Sequence, residues 1–168
     1  MNLNKVIEKA RSSFFYLKIL NLGLTRMIPF NRPHGFRVIS ISDNDIKTYL
    51  PYKNRNLNHI KGLHACALAT LCEFTTGLLL IARLGMKNYR IILQKLEIEY
   101  LYQGKTDAFA EYTLSEDWIH QNIYDVLKQN DSASVDCPIR IYDSNKNLLA
   151  KAIVQWQLKD WSKVRTKL

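Results

Sequence analysis

Between Leu63 and Ala82 the chain runs almost unbroken in apolar and small residues, and the one carboxylate inside that stretch is Glu73. Such a run demands a helix buried over most of its circumference, so the remaining elements have to be a container for it. The length would also suit a membrane crossing. Glu73, His64 and the period-2 patterns that follow argue for a core helix instead, because an acid at the bilayer centre costs at least about 2.5 kcal/mol. A lone acid in that helix is expensive unless something uses it.

The 168 residues, 47% hydrophobic and 23% charged, suit one globular domain spanning 1–168, with 1–30 as an N-terminal helix and loop and 31–160 as the core. A formal charge of +9 suits anionic partners: nucleic acid, a membrane surface or a phosphate-bearing ligand. The basic residues are scattered, with only a mild cluster at Lys159, Lys163, Arg165 and Lys167, which speaks for a solvated surface and against nucleic acid. Cys66, Cys72 and Cys137 form no CxxC pair and make an odd count, so neither a disulfide framework nor a zinc ribbon is indicated, and a reducing cytoplasm is expected. Phe14–Leu17 is cut short by Lys18 and is not expected to act as a signal peptide or integral membrane segment.

In chain order, Leu3, Val6, Ala10, Phe14, Leu17 and Leu20 or Asn21 recur at helical spacing, predicting one amphipathic helix over 3–22 closed by Gly23 and Pro29. Strands are predicted over 35–42 and 46–50, joined by Asp43-Asn44-Asp45. A polar connection over 52–62 leads into the central helix, and Gly85 is placed to cap its end. A strand over 89–102 then turns through 103–107 into a returning strand over 108–114, the first members of a meander. Ser115 caps a helix over 116–128, and strands over 133–142 and 148–159 form a last hairpin. The expected class is α+β, a long central helix wrapped by a curled antiparallel sheet, with an extra N-terminal helix.

At 100° per residue, Glu73 shares its stripe with Cys66, Ala69, Thr70, Thr76, Gly77 and Leu80. A lane of mostly small side chains beside an acid leaves room for a ligand or for another backbone. Desolvation should raise the Glu73 pKa, which suits a general acid or base near neutrality. At the helix start, backbone N–H groups near Ala65 and Cys66 offer an oxyanion binder, with Asn58, His59 and His64 alongside. No HExxH, GxSxG or P-loop spacing occurs, and no metal set is expected. Ala65 and Glu73 are eight residues apart, about 12 Å along one helix. One carbonyl cannot meet both in the same chain, so a site using both needs a second copy with its central helix roughly antiparallel.

These residues resemble the hotdog-fold thioesterases of the phenylacetyl-CoA thioesterase (PaaI-like) type, whose spacing is Asn, five residues, His-Gly-Gly, then an acid nine after the His. Asn58, His64 and Glu73 match that spacing, with Ala65-Cys66 in place of Gly-Gly. Asn58-His59, Gly62, His64-Ala65, Ala67-Leu68, Glu73 and Gly77, with Leu96–Leu101, Ile141–Asp143 and Leu149–Ala152, are most similar to a thioesterase-like branch of unknown function. The resemblance implies an acyl-CoA or acyl-carrier thioester hydrolase without a cofactor of its own, coenzyme A entering only with the substrate. It implies Glu73 as base or nucleophile, the Ala65 N–H on the thioester carbonyl, Asn58 positioning water or substrate, and His64 orienting the loop. His59, Cys66, Thr70 and Gly77 would line the substrate, and Gln94 or Lys95 are candidates for a Ser or Thr that some relatives carry. It also implies a homodimer or dimer of dimers, Asn58 and Ala65 working with Glu73 of the partner. Two other readings stand beside it: a hotdog dehydratase using His59 and Glu73, whose separation of fourteen fits, and a non-catalytic acyl-CoA- or lipid-binding protein.

Overall fold

The computed structural model describes residues 3–164. Arg165 and Lys167 of the basic C-terminal cluster lie outside the described residues. The elements are α1 (Leu3–Ala10), α2 (Phe14–Met27), β1 (Arg37–Ile41), β2 (Asp45–Leu50), α3 (Ala65–Leu84), β3 (Tyr89–Tyr100) and β4 (Ala108–Thr113). After them come α4 (Glu116–Ile119), a π turn (His120–Tyr124), α5 (Asp125–Gln129), β5 (Ala133–Asp143) and β6 (Leu148–Asp160).

All six strands form one antiparallel sheet in the order β1-β2-β4-β5-β6-β3. The central helix packs against five of them, β2 to β6, as an α+β wrap requires. By length and composition α3 passes for a membrane span, but most of its residues are buried inside this fold. Leu71, Leu79 and Leu80 are fully buried together with Ile46, Leu50, Ile141 and Leu149. β5 alternates without a fault, every second residue from Ala133 to Asp143 being buried, so its sequence pattern alone fixes its inner face. Gly85 ends α3 at φ +79°, a conformation that favours glycine, and its N–H bonds to Ile81 O.

Two expectations are corrected. The helix expected over 3–22 is two helices. Ser13 is extended and its hydroxyl takes the Tyr16 N–H, so the chain restarts there, and Gly23 lies buried inside α2, which runs on to Met27 before Pro29. The restart changes the helical phase, and Phe14, expected on the buried face, is 72% exposed.

The second correction concerns the strands. β3 and β4 are not neighbours: β3 lies at the far edge on β6, and β4 inserts between β2 and β5. Alternation fixes which face a strand buries, not which strand it joins. The connection over 101–107 crosses the start of α3 instead of turning back. Leu63 N–H bonds Gly104 O there, and a Cβ on Gly104 would lie 2.9 Å from Leu149.

The two sheet edges differ. At β1 the Asn21 side chain of α2 bonds both the N–H and the C=O of Val38, occupying that edge. β3 ends the sheet on the other side with no strand beyond it among the described residues. None of its twelve residues is fully buried, although Leu93, Leu96 and Ile98 are apolar and face the same side as buried residues of β6.

Candidate functional site

The loop before α3 is built around two asparagines. Asn56 is buried; its Nδ2 donates to His34 O and Pro51 O, its Oδ1 stands 2.9 Å from His34 Nδ1, and its carbonyl accepts the His64 N–H. Sequence reasoning passed over Asn56 as part of a polar connection, because an Asn whose work is to satisfy backbone groups carries no spacing signal. Asn58 Oδ1 accepts from Ile60 N–H and Gly62 N–H, and Lys61 sits at φ +59° to close the turn. The Asn58 carboxamide oxygen is therefore committed to the loop. Its Nδ2 has no partner among the described residues, leaving both of its N–H donors for a ligand or water.

His64 is the N-cap of α3. Its Nδ1 accepts the Cys66 N–H at 3.1 Å, which places the neutral ring's proton on Nε2. Of the two backbone donors expected at the helix start, Cys66 is thus occupied, and the Ala65 N–H is the one without an acceptor among the described residues. The Tyr100 hydroxyl of β3 donates to Ala65 O at 3.0 Å, so the edge strand reaches the helix start directly. Burial is the main cause of the raised Tyr100 pKa.

Glu73 lies two turns further along α3, half-buried, with no hydrogen-bond or ion partner for its carboxylate among the described residues. Burial raises its pKa, as expected of an acid facing a partly apolar lane. From Ile46 to Leu96 it is the only acid among eight Lys and Arg residues.

The lane on which it sits is open only in its first half. Ala65 and Cys66 are exposed, Ala69 and Thr70 half-buried, and the Thr70 hydroxyl donates back to Cys66 O. Thr76, Gly77 and Leu80, expected to continue the lane, are covered. Trp156 of β6 donates its indole N–H to Thr76 Oγ1 at 3.0 Å, and a Cβ on Gly77 would stand 2.6 Å from that ring. Gly77 therefore serves close packing in this fold. His59 is exposed on the loop, off the helix.

Gln94 accepts from Ser134 Oγ, and Lys95 pairs with Glu97; both interactions are on the outer face of the sheet, away from α3. A concavity of about 1560 Å³ also lies on that outer face, between residues such as Phe109, Arg140, Tyr142 and Ile153. Neither it nor a 490 Å³ cleft between Arg32, Pro33, Lys53, Asn54 and Arg55 contains Glu73. Burial, with Arg55 and Arg37 nearby, holds the Lys53 pKa down. Among the described residues no group of three or more His, Cys, Asp or Glu could hold a metal.

The fold is shared with several solved structures. One is a protein of unknown function from Pseudomonas aeruginosa, described as a probable thioesterase, with TM-score 0.77 and 22% identity over 85% of this chain and 95% of that one. Another, of unknown function, from Chlorobaculum tepidum, gives TM-score 0.73 at 12% identity over 90% of this chain and 98% of that one. Thioesterase HI1161 from Haemophilus influenzae gives TM-score 0.67 at 14% identity over 90% and 95%. No curated protein matches the chain. These likenesses establish the hotdog architecture, one long helix in an antiparallel sheet. With a family model matching residues 17–158, the chain belongs to the family described as domain of unknown function DUF4442.

Proposed function

We propose that the protein hydrolyses acyl thioesters, of coenzyme A or an acyl carrier, at a site completed by a second copy of the chain. The observation that carries this reading is Glu73: a half-buried carboxylate with a raised pKa, no partner among the described residues, and an open lane of small residues beside it. The Ala65 N–H is the matching electrophile-binding group, about 12 Å away along the same helix. That distance supports pairing Glu73 of one protomer with the start of α3 in the other.

The unpaired β3 edge supports the same arrangement. Two copies joined edge to edge along β3 would cover its half-buried Leu93, Leu96 and Ile98 and bring the open halves of the two α3 lanes together. The structural neighbours described as thioesterases support the reaction class.

In the reaction, Glu73 takes a proton from water as the water oxygen attacks the thioester carbonyl. The oxyanion accepts the Ala65 N–H at the positive end of α3. Collapse breaks the C–S bond, and the proton on Glu73 passes to the leaving thiolate, giving a carboxylic acid and a thiol. Asn58 Nδ2 is the donor left to hold water or substrate. His64 keeps the Cys66 N–H occupied, so one aligned donor meets the carbonyl.

Purified protein with a panel of short, medium, long and aromatic acyl-CoA substrates and thiol detection tests the proposal. Release of free thiol that Glu73→Gln abolishes is expected. Tight acyl-CoA binding without turnover, unchanged in Glu73→Gln, would favour the non-catalytic binding reading instead. Hydration of enoyl-CoA lost in His59→Ala would favour the dehydratase.

A further inference from the structure

α2 carries a face that the fold does not use. It docks on the sheet through Leu20, Gly23 and Leu24, all buried, and through the Asn21 bonds to Val38. On the opposite side, Phe14, Lys18, Leu22, Phe15 and Arg26 fall within about 120° of one another on the helical wheel, and all five are exposed. Phe14, Phe15 and Leu22 are 72%, 66% and 55% exposed, values unusual for side chains of that size. Phe30, just beyond the helix, is 65% exposed.

The charges on this segment have one sign. From Lys9 to Ser42 there are six Lys and Arg residues and no Asp or Glu. Lys18 lies over the Phe14 ring at 4.6 Å, and neither Lys18 nor Arg26 has an acidic partner among the described residues. The family match begins at residue 17, so Phe14 and Phe15 lie outside the shared part.

We propose that this face of α2 docks the protein on the surface of an anionic phospholipid bilayer. An in-plane helix needs large apolar side chains on one face to enter the headgroup boundary and cations beside them to meet lipid phosphates. Phe14, Phe15 and Leu22 supply the first, and Lys18 and Arg26 supply the second from the same stripe. A nucleic acid would match the charge but leave Leu22 and the two phenylalanines without a role. The inference does not depend on thioester chemistry.

Co-sedimentation of the full chain with phosphatidylcholine vesicles, with and without 30% phosphatidylglycerol, tests it. Binding is expected only to the anionic vesicles, weakening at least tenfold between low and high salt. Phe14→Ser with Phe15→Ser, and separately Lys18→Glu with Arg26→Glu, should each cost at least tenfold in binding while circular dichroism and acyl-CoA turnover stay unchanged. Leu22→Ser provides an independent variant should the double phenylalanine change disturb folding.

No vesicle binding by the wild type would overturn the proposal. So would binding that ignores the aromatic substitutions, which would reduce the effect to bulk charge. Dissociation of a wild-type dimer by the same substitutions, seen by analytical ultracentrifugation, would make the face a subunit contact. Equal dependence of a DNA duplex on the same side chains would make it a nucleic-acid site.

Discussion

Residues 65–73 and 75–80 of α3 both carry small and hydroxyl-bearing side chains, yet the second stretch is sealed and the first is partly open. In the C-terminal half, Thr75 shares a 2.6 Å hydrogen bond with Thr48, Thr76 takes the Trp156 N–H, and Gly77 lies under the same ring. In the N-terminal half, Cys66 is exposed and Ala69, Thr70 and Glu73 are half-buried. The neighbouring strand accounts for the difference. β6 presents Trp156 to residues 76 and 77, but it offers Ala150 and Ala152 where β3 carries Tyr100 and Ile98, beside the helix start. Polar groups are satisfied within the chain where the sheet supplies bulk. The one carboxylate is left at the border where it does not.

The largest expected effect is on the open half. Glu73→Gln keeps the shape of the side chain and removes its proton chemistry, so kcat for thioester hydrolysis should fall by about 10²–10⁴-fold with KM little changed. Steady-state kinetics with thiol detection measure it. Next comes Ala65→Pro, which removes one N–H at the first helical position, where proline is well tolerated and the preceding His64 is already extended. A loss of about 10²–10³-fold in kcat with an unchanged melting temperature is expected if that N–H holds the oxyanion.

The same two variants sharpen the comparison further. Each alone should keep about 1% of the activity or less, but with a shared site a mixed dimer of Glu73→Gln and Ala65→Pro chains would contain one intact site. Refolding the two together should restore about a quarter of the wild-type rate. No recovery from a mixed sample shown to contain heterodimers would place both groups in one chain and break the shared-site reading.

The sealed half should respond in stability. Gly77→Ala pushes a methyl into the rigid Trp156 ring, and Thr76→Val leaves the buried indole N–H without its acceptor. Each should cost about 1–3 kcal/mol in urea unfolding, with kcat falling far less than in Glu73→Gln.

The smallest effect is the pH dependence of Glu73 itself. Its folded pKa is raised above the unfolded value, so the folded state binds the proton more tightly. Stability from that group is therefore present below the unfolded pKa and lost as pH rises through the folded one. Glu73→Gln should raise the melting temperature at neutral pH by roughly 2 °C, a gain that shrinks as the pH falls to 4. Paired thermal melts at pH 7 and pH 4 check the sign. An equal gain at both would mean that burial of the charge is not what the substitution relieves.

Much of the local structure around Glu73 was legible because it depends on a few neighbouring positions. The apolar run named α3, the single acid in it named Glu73, and burial raises its pKa as the sequence requires. Gly85, the turn residues before β2 and the alternation of β5 each state their structure within a few positions. His64 is half of this kind: its place before α3 is readable, but which N–H its ring would take is a rotamer choice. Asn56 was missed because its partners His34 and Pro51 are joined to it only by the fold. The break at Ser13 was missed because the apolar spacing on either side is continuous, while a hydroxyl beside a backbone N–H competes with the helix only weakly.

The sequence by itself determined a long buried helix with one uncomfortable acid, the faces of the strands around it and the separation of that acid from its own helix start. These follow from periodicity and rise per residue, which need no knowledge of neighbours. Only the tertiary structure decided that β3 goes to the sheet edge, that Trp156 closes half of the lane, that Asn21 closes the other edge and that Phe14 faces outward. Each of those depends on which segments meet across many residues, and alternating hydrophobicity specifies a buried face without naming what buries it.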